Sequence, residues 1–375
     1  MKTKGALIWE FNQPWTIEEI EIGDPVKDEV KIQMEAAGMC HSDHHLVTGS
    51  LPMAGFPVLG GHEGAGVVTE VGPGVEDLAP GDHVVLSFIP SCGKCPSCQA
   101  GLRNLCDIGA VLLGGAAVSD GTFRIKARGQ NVYPMSLLGT FSPYMVVNRA
   151  SVVKIDPSVP FEVACLVGCG VTTGYGSAVR TADIRPGQDV AIVGVGGVGM
   201  SALQGAVNAG ARHVFVIEPV EWKRDAALKF GATQAYPDIE SAMAGIAETT
   251  MGMMAHKVVV TVGEVHGEDI DSYLNITAKA GTCVVTAIGS LFANQVTLNL
   301  AMLTLMQKNL QGTIFGGGNP HYDIPQLLSM YKAGKLNLDD MITRQYKLEQ
   351  INEGYQDMLD GKNIRGVIRY TDDDR

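Results

Sequence analysis

Four of the eight cysteines fall within fifteen positions of one another. Cys92, Cys95, Cys98 and Cys106 follow the pattern C-x2-C-x2-C-x7-C. Four thiolates at this spacing can surround one ion tetrahedrally and fill every coordination position, as in a structural zinc site. An iron–sulfur cluster and unligated thiols are the alternatives, but the fourth ferredoxin cysteine comes about four positions later and precedes proline. Here it comes eight positions later and precedes Asp107, so the pattern favours zinc.

A second set of metal-ligand residues is scattered over glycine-rich segments. Cys40 opens the run Cys-His-Ser-Asp-His-His, His62 and Glu63 lie between glycines, and Cys169 lies in Gly-Cys-Gly. Cys40, His62 and Cys169 could form a Cys2His zinc site with one open position, where the metal acts as a Lewis acid. The wide spacing also allows a metal-free interpretation, with a buried thiol, a core histidine and a surface histidine cluster.

A glycine loop follows the apolar run 189–193. Gly194-Val-Gly-Gly-Val-Gly199 fits G-x-G-x-x-G between a predicted strand and a predicted helix, the context that a dinucleotide-binding loop requires. Its glycines would make the turn, admit a pyrophosphate and allow close helix packing. Glu218, 24 residues after Gly194, favours NAD because a carboxylate there repels a 2′-phosphate. Lys223 and Arg224 keep NADP possible, and a glycine-rich turn in an unrelated α/β domain is the alternative.

The segments around these motifs predict two kinds of domain. Short β-like runs at 30–34, 65–71 and 83–88, separated by glycine and proline turns, indicate a mostly β first part. From about Gly170 onward, strands alternate with helices, which predicts parallel βαβ units with helices on both faces of the sheet. The predicted strands are 189–193, 213–217, 257–262 and 282–288, the helices are 200–209 and 226–230, and a final strand is 366–370.

Length and composition exclude several classes of protein. At about 150 residues per domain, 375 residues predict two domains. The net charge of −12 disfavours nucleic-acid binding because phosphates would be repelled. No segment reaches about 18 uninterrupted apolar residues, and the first apolar run ends at Glu10, too early for a signal peptide. We therefore expect a cytoplasmic protein without a membrane span, whose cysteines serve metals or catalysis.

Together these features resemble the zinc-dependent medium-chain alcohol dehydrogenases along nearly the whole chain. The matching motifs are Gly60-Gly-His-Glu-Gly-Ala-Gly66, Cys92-Gly-Lys-Cys95, Gly168-Cys-Gly-Val-Thr-Thr-Gly-Tyr-Gly176, the loop 194–199, Gly312-Thr-Ile-Phe-Gly-Gly317 and Ile351-Asn-Glu-Gly354. Within the family, the chain most resembles the actinobacterial NDMA-dependent (nicotinoprotein-type) enzymes, in which NAD stays bound and is recycled in place. The resemblance implies a GroES-like, mostly β catalytic domain over 1–170 and 313–375, with a structural-zinc lobe. A Rossmann NAD-binding domain is expected over 171–312.

The resemblance also implies roles for individual residues. Cys40, His62 and Cys169 correspond to the catalytic zinc ligands. By the same resemblance, Asp43 orients His62, and Glu63 lies behind the metal as a transient ligand. The remaining implied roles are a proton relay at Ser42 and His45, cofactor contacts at Thr173, Gly194, Gly196, Gly197, Val198, Gly199, Glu218, Lys223 and Arg365, and substrate-pocket positions at Phe88 and Val111.

One position departs from the family pattern. His41 occupies the place where many relatives carry an arginine for the cofactor pyrophosphate. Histidine is mostly neutral at pH 7 and cannot form the bidentate fork of a guanidinium. We therefore expect His41 to bind the pyrophosphate less tightly than an arginine would.

The sequence thus predicts an NAD-dependent zinc alcohol dehydrogenase that interconverts small alcohols and aldehydes. It would carry two Zn²⁺ per chain, one catalytic and one structural, together with NAD(H), and form a homodimer or a tetramer. One alternative is a thiol-dependent formaldehyde dehydrogenase, for which Arg124, Lys126 and Arg128 are candidate cations at the pocket rim. The other is a catalytically silent NAD-binding protein whose metals are purely structural.

Overall fold

The structure is a computed structural model that describes residues 1–375. Its strands are β1 (Lys2–Ile8), β2 (Thr16–Ile22), β3 (Glu29–Met39), β4 (Val58–Leu59), β5 (Gly64–Val71), β6 (His83–Leu86), β7 (Ile125–Ala127), β8 (Gln130–Asn131), β9 (Tyr133–Pro134), β10 (Tyr144–Asn148), β11 (Val152–Lys154), β12 (Asp189–Val193), β13 (His213–Ile217), β14 (Gln234–Tyr236), β15 (Ala255–Val260), β16 (Thr277–Val285), β17 (Asn309–Gly312), β18 (Ile342–Tyr346) and β19 (Arg365–Arg369).

The helices are shorter on average than those of a helical bundle, and most of them follow a strand. They are α1 (His41–Thr48), α2 (Pro96–Gln99), α3 (Phe161–Val167), α4 (Gly170–Gly176), α5 (Gly197–Asn208), α6 (Glu221–Lys229), α7 (Ile239–Thr249), α8 (Ile270–Asn275), α9 (Leu300–Leu305), α10 (Pro320–Lys332) and α11 (Ile351–Leu359). None of these helices has both the length and the apolar character that crossing a membrane requires.

The chain divides into two compact units, Met1–Cys169 with Asn319–Arg375 and Gly170–Gly318. The return to the first unit comes after Gly318, six residues later than the expected boundary at 312. The turn Phe315–Gly317 stays with the second unit because it packs on the end of α4. A Cβ on Gly176 would lie 2.6 Å from the carbonyl oxygen of Gly316, so only glycine permits this approach.

The first unit is built on two β-sheets, as the mostly β prediction requires. One sheet has the order β8-β7-β2-β1-β4-β9, and the other has the order β11-β6-β5-β3-β19-β18, with β10 also paired to β3. The central strand β3 is long and almost wholly buried, so its apolar side chains anchor the core that both sheets cover. The C-terminal strand β19 pairs antiparallel with β3, which fixes the end of the chain in this unit.

The second unit contains one parallel sheet with the strand order β14-β13-β12-β15-β16-β17. This is the doubly wound order 3-2-1-4-5-6 of dinucleotide-binding folds. Strands β12 and β13 have the predicted bounds, and both are buried apart from the half-buried first residue of β13. Strands β15 and β16 begin and end earlier than predicted, since their ladder starts at the pair Ala255–Thr277 and its last pair is Val260–Val285. The predicted α/β class is confirmed.

Candidate active site

The candidate catalytic residues lie close together because the ends of three strands are neighbours in the sheet that contains β3. Strand β3 leads into Cys40, β5 follows directly after Glu63, and β19 begins at Arg365. Because β3 pairs with both β5 and β19, these ends are neighbours. Gly38 is required at the junction, since a Cβ there would collide with Glu63 and lie 2.8 Å from Arg365 Nη2.

The structure brings together the three predicted ligands of the catalytic metal. One potential ligand atom from each of Cys40, His62, Glu63 and Cys169 lies within 4.8 Å of the others, and all four residues are buried. Two thiols and an imidazole around an open position are the donor set of a catalytic zinc site. The convergence of these buried groups favours this interpretation over the metal-free one.

Asp43 holds the imidazole of His62 from behind. Its Oδ1 accepts a hydrogen bond of 2.7 Å from the Gly61 N–H, and its Oδ2 lies 3.2 Å from His62 Nδ1. With Nδ1 directed at the carboxylate, Nε2 remains for a metal. Asp43 Oδ2 and His62 Nδ1 are both buried without a well-aligned hydrogen bond. The two groups fit a site that is completed by a metal.

The electrostatics of this cluster favour a thiolate at Cys40. A hydrogen bond from Cys169 lowers the pKa of Cys40 well below its ordinary value despite burial, and His62 acts in the same direction. The same hydrogen bond, together with burial, raises the pKa of Cys169. Burial alone would lower the pKa of His62, but the charges of Asp43 and Cys40 raise it well above its ordinary value. A divalent cation would keep Cys40 as a thiolate and would favour a deprotonated Cys169 and a neutral His62.

Glu63 forms a buried ion pair with Arg365. Glu63 Oε2 accepts a short hydrogen bond from Arg365 Nη2. Burial raises the pKa of Glu63, although the charge of Arg365 opposes that shift. Burial would lower the pKa of Arg365, but the negative charges around it, that of Glu63 first, together outweigh burial, so the pKa of Arg365 is raised. Arg365 was expected at the cofactor. The structure gives it this partner in the first unit, and the cofactor contact stays a prediction.

The proposed relay residues lie on α1, which begins directly after Cys40. Ser42 Oγ lies 3.7 Å from Cys40 Sγ, so a hydroxyl stands beside a metal ligand. His45, one turn further, is buried. Its ring centroid lies 5.3 Å from that of His41, which in turn lies 5.7 Å from that of His44. Helix α1 therefore brings three imidazoles close together, those of His41, His44 and His45, and His44 is half-buried.

The four clustered cysteines form a compact tetrathiol site. Their sulfur atoms lie within 4.8 Å of one another, and Cys95 Sγ is 3.9 Å from Cys106 Sγ. A tetrahedron with Zn–S bonds of about 2.3 Å has sulfur–sulfur edges of about 3.8 Å. Backbone N–H groups of Asp107 and Cys98 donate to Cys95 and lower its pKa to about 7. These distances fit a single ion and leave too little space for a cluster of several irons.

The two predicted pocket positions have different surroundings. The ring of Phe88 lies edge-on to the imidazole of His62, with centroids 5.7 Å apart. Phe88 can therefore shape the space beside the metal ligands. Val111 ends the short turn Asp107–Val111 of the cysteine lobe and is 47% exposed. Its role as a substrate contact stays a prediction.

The cations of the formaldehyde alternative are engaged elsewhere. Arg124 donates from Nε and Nη2 to the buried carboxylate of Glu29, at 2.7 and 2.9 Å. Arg128 forms the same kind of two-point contact with Glu18, at 2.8 Å for both bonds. Lys126 is exposed on β7. Two of the three cations thus already have carboxylate partners within the first unit, which does not favour a site for an acidic thiol.

The glycine loop of the second unit has the geometry that its motif predicts. Gly194 adopts φ +83°, which permits the sharp turn after β12. A Cβ on Gly196 would meet nothing within 4 Å, so the space for an approaching phosphate is open. A Cβ on Gly199 would collide with the carbonyl of Gly194. Helix α5 begins at Gly197 without a side-chain cap, which leaves its first N–H groups for an anion.

Glu218 and Lys223 lie together at the end of β13. Glu218 accepts 3.0 Å hydrogen bonds from the N–H groups of Val195 and Val220, so the acidic side chain is fixed beside the glycine loop. Lys223 is buried, which lowers its pKa although Glu218 opposes the shift. Each carboxylate oxygen of Glu218 keeps further acceptor capacity for a ribose hydroxyl.

Thr173 is held close to the same loop. Its Oγ1 is buried and has no hydrogen-bond partner. The next residue, Gly174, touches the loop directly, because a Cβ there would collide with the carbonyl of Val198. An unpartnered hydroxyl at this position fits the predicted cofactor contact.

Two residues that support the candidate site were not identified from the sequence. The Thr261 hydroxyl lies 3.0 Å from the Val193 carbonyl oxygen and 2.7 Å from that of Gly194, so that its single proton is shared between them and holds the glycine turn in place. Tyr355 is buried beside Asp43. Both come from segments distant in sequence, and the one available hint is that Tyr355 directly follows the matched motif 351–354.

Two family models match the chain. An alcohol dehydrogenase GroES-like domain matches residues 26–157, and a zinc-binding dehydrogenase domain matches residues 197–333. Together they cover more than half of the chain. The protein belongs to the zinc-binding alcohol dehydrogenase family. Zinc and a nicotinamide cofactor are the cofactors of this dehydrogenase, and the two ligand sets and the glycine loop fit them.

Two relatives match along the full chain. The dehydrogenase is 84% identical over 375 residues to alcohol dehydrogenase B of Mycobacterium tuberculosis, with 100% of both chains covered. It is 47% identical over 373 residues to the NDMA-dependent alcohol dehydrogenase of Amycolatopsis methanolica, again with 100% of both chains covered. The predicted membership of the family is confirmed.

Solved structures confirm the fold. An alcohol dehydrogenase zinc-binding domain protein from Burkholderia ambifaria superposes with a TM-score of 0.92 at 30% identity, covering 99% of both chains. A benzyl alcohol dehydrogenase from Acinetobacter calcoaceticus gives a TM-score of 0.91 at 27% identity, covering 99% of this chain and 100% of its own. The dehydrogenase is therefore an enzyme of GroES-like and Rossmann units, and the catalytically silent alternative is not supported.

Proposed function

We propose that this dehydrogenase interconverts primary alcohols and aldehydes, with NAD as the hydride acceptor. The observation that carries the proposal is the buried convergence of Cys40, His62 and Cys169. Glu63 is engaged by Arg365, so three protein ligands remain and a substrate oxygen can take the fourth position. The names of the two full-length relatives point to the same reaction.

Zinc, when bound, supplies Lewis acidity toward the alcohol, and NAD supplies the hydride acceptor. Ser42 is proposed to accept the alcohol proton, because its Oγ lies 3.7 Å from Cys40 Sγ. His45 is proposed to receive that proton further along α1. Asp43 keeps the ring of His62 in place, and Phe88 excludes water on one side of the ligands.

We further propose two Zn²⁺ per chain and NAD as the dinucleotide. The tetrathiol cluster supports the structural zinc, and the buried Glu218 beside the glycine loop supports NAD over NADP. All eight cysteines are free thiols, and six of them belong to the two ligand sets. This use of cysteine supports our proposal of a cytoplasmic location.

Tight retention of NAD is a finer proposal. It is supported by the 47% identity to an enzyme named NDMA-dependent. His41 argues in the opposite direction, since an imidazole binds a pyrophosphate less strongly than a guanidinium does. Retention therefore requires that the loop backbone, Glu218 and Lys223 supply enough contacts by themselves.

We propose that two copies of the chain join through β17. This strand ends the parallel sheet, and all four of its residues are exposed. The segment that precedes it in the chain carries strongly exposed apolar side chains, among them Phe292 at 75% and Leu305 at 77% exposure. An open strand edge can pair with the same edge of a second copy, and exposed apolar side chains favour such an interface. A monomeric mass by light scattering at micromolar concentration would contradict the proposal.

Activity of ligand variants tests the proposed reaction. Oxidation of primary alcohols is followed with added NAD, and with an artificial electron acceptor in case NAD is retained. Cys169→Ala removes one proposed zinc ligand and should lower kcat about a thousandfold or more, since loss of metal costs several kcal/mol of transition-state stabilisation. Cys283→Ala, at a buried thiol of the second unit, is the control and should keep its activity. Equal activity of both variants would refute the mechanism.

A further inference from the structure

Tyr355 carries a hydroxyl that its packing does not need. The residue lies on α11 and is 5% exposed. Its ring stacks on Trp15 with centroids 5.9 Å apart, and it meets Phe141 edge-on at 6.2 Å. A phenylalanine would fill the same aromatic site. The phenol group must therefore be explained by a polar neighbour, because an unpaired hydroxyl in a core is unfavourable.

That neighbour is Asp43. The phenol of Tyr355 is close enough to the Asp43 side chain for the two to interact, although they do not form a hydrogen bond of ordinary geometry. Three polar atoms in this part of the core have no well-aligned hydrogen bond, namely the Tyr355 hydroxyl, Asp43 Oδ2 and His62 Nδ1. A carboxylate oxygen can accept two hydrogen bonds. One oxygen, Asp43 Oδ2, can therefore satisfy both of the other groups.

The direction of the hydrogen bond follows from the charges. Burial raises the pKa of Tyr355 well above its ordinary value, and the negative charges of Asp43 and Cys40 add to the shift. An ionised carboxylate only accepts hydrogen bonds, so between these two groups the phenol is the donor. The other oxygen, Asp43 Oδ1, is already fixed by the Gly61 N–H at 2.7 Å.

We propose that Tyr355 is a positioning residue for the catalytic zinc, whose hydroxyl donates to Asp43 Oδ2. Asp43 is then held at both oxygens and keeps the imidazole of His62 turned with Nε2 toward the metal. This inference rests on the catalytic zinc site of the proposed function. Because Tyr355 acts through Asp43, its effect is on the retention and geometry of the metal and not on the chemistry directly.

The test is the rate at which each zinc is lost to a colorimetric chelator. Tyr355→Phe removes only the hydroxyl and should accelerate the loss of one of the two zincs about tenfold, the lower end of the range for groups that orient a ligand. The d–d absorption of the cobalt-substituted enzyme should shift as well. Tyr370→Phe is the matched control, because Tyr370 is equally buried but donates to the Thr140 carbonyl at 2.7 Å.

Each outcome decides the proposal. Unchanged zinc loss and an unchanged cobalt spectrum in Tyr355→Phe would overturn it. Equal acceleration in Tyr355→Phe and Tyr370→Phe would also overturn it, since it would show a general loss of stability. In an Asp43→Asn background, adding Tyr355→Phe should change zinc loss little further, and full additivity would contradict action through Asp43. Wild-type protein holding a single zinc would instead overturn the proposed function itself.

Discussion

The carboxylate of Glu63 and the guanidinium of Arg365 pair inside the first unit, although 302 positions separate them in the sequence. Their side chains are 0% and 5% exposed. The pair restrains a carboxylate that lies among the proposed zinc ligands, and we propose that Arg365 thereby keeps Glu63 from binding the metal. Removing either partner would leave a buried charge without a counter-ion.

Replacing Arg365 tests that relationship. Arg365→Leu leaves Glu63 buried and uncompensated, and we expect the free energy of unfolding to fall by about 3–5 kcal/mol. Arg369→Leu is the control, because Arg369 is 54% exposed and pairs with Glu162 near the surface, where a pair contributes about 0–1 kcal/mol. Urea unfolding, monitored by circular dichroism, measures the free energy of unfolding of both variants. Similar losses for the two variants would contradict a special role for the buried pair.

The structural zinc should stabilise the cysteine lobe. Cys98→Ser removes one of the four sulfurs, and we expect the purified protein to contain one zinc fewer and to lose several kcal/mol of stability. The same substitution at Cys165, which is buried outside the cluster, should leave the zinc content unchanged. Elemental analysis with thermal unfolding makes the comparison. A Cys98→Ser protein with full zinc content would show that the four sulfurs do not hold one ion.

The charge of Glu218 should govern the choice between NAD and NADP. Glu218→Gln removes the charge and keeps one acceptor oxygen, so it can still accept from one of the two N–H groups, that of Val195 or that of Val220. We expect the preference for NAD over NADP to fall about tenfold, which corresponds to about 1.4 kcal/mol. Glu240→Gln, an exposed acidic residue at the start of α7, is the control. The dissociation constants of NAD and NADP are measured for each variant. An unchanged ratio of these two constants in Glu218→Gln would count against a contact between Glu218 and the ribose.

His41 should limit the affinity for cofactor. His41→Arg introduces a guanidinium at the position that the family resemblance assigns to the pyrophosphate, and we expect the dissociation constant of NAD to fall about tenfold through a charge-assisted bidentate contact. His44→Arg adds the same charge to the same helix and should change binding much less. Isothermal titration calorimetry on cofactor-free protein measures both. Equal tightening in the two variants would indicate a general charge effect.

Asp189 should make stability depend on pH. Burial opposes ionisation, but hydrogen bonds from Arg212 and His213 lower the pKa of Asp189 below its ordinary value. A lowered folded-state pKa contributes stability above about pH 4 and loses that contribution as pH falls further. Asp189→Asn should therefore cost about 1–3 kcal/mol at pH 7 and progressively less toward pH 3. Asp183→Asn, at an exposed pair with Arg185, should cost little at any pH. A cost for Asp189→Asn that does not vary with pH would contradict the linkage.

Local patterns in the sequence were enough to predict the second unit and the tetrathiol cluster. The apolar run of β12, the glycines after it and the acidic residue after β13 are all neighbours in sequence, and a Rossmann unit places them by local geometry. The four cysteines likewise fall within one short loop. In such segments the spacing itself determines the three-dimensional arrangement.

The catalytic set could not be predicted from spacing. Cys40 and His62 meet because β3 pairs with β5, and Cys169 joins them because α3, which precedes it, packs on both strands. No local sequence pattern indicates these long-range contacts. Only the family resemblance pointed to them. The partnership of Arg365 with Glu63 and the place of Tyr355 beside Asp43 depend on long-range contacts of the same kind, which is why sequence analysis missed both.

Native mass spectrometry of the protein, purified without added cofactor, tests the central claim most directly. We expect two zinc ions per chain in the wild type and one in Cys169→Ala. A retained NAD or NADH would further support recycling of the cofactor in place. A wild-type protein with one zinc per chain, or a Cys169→Ala variant that still carries two, would contradict the assignment of Cys40, His62 and Cys169 as the ligands of a catalytic zinc.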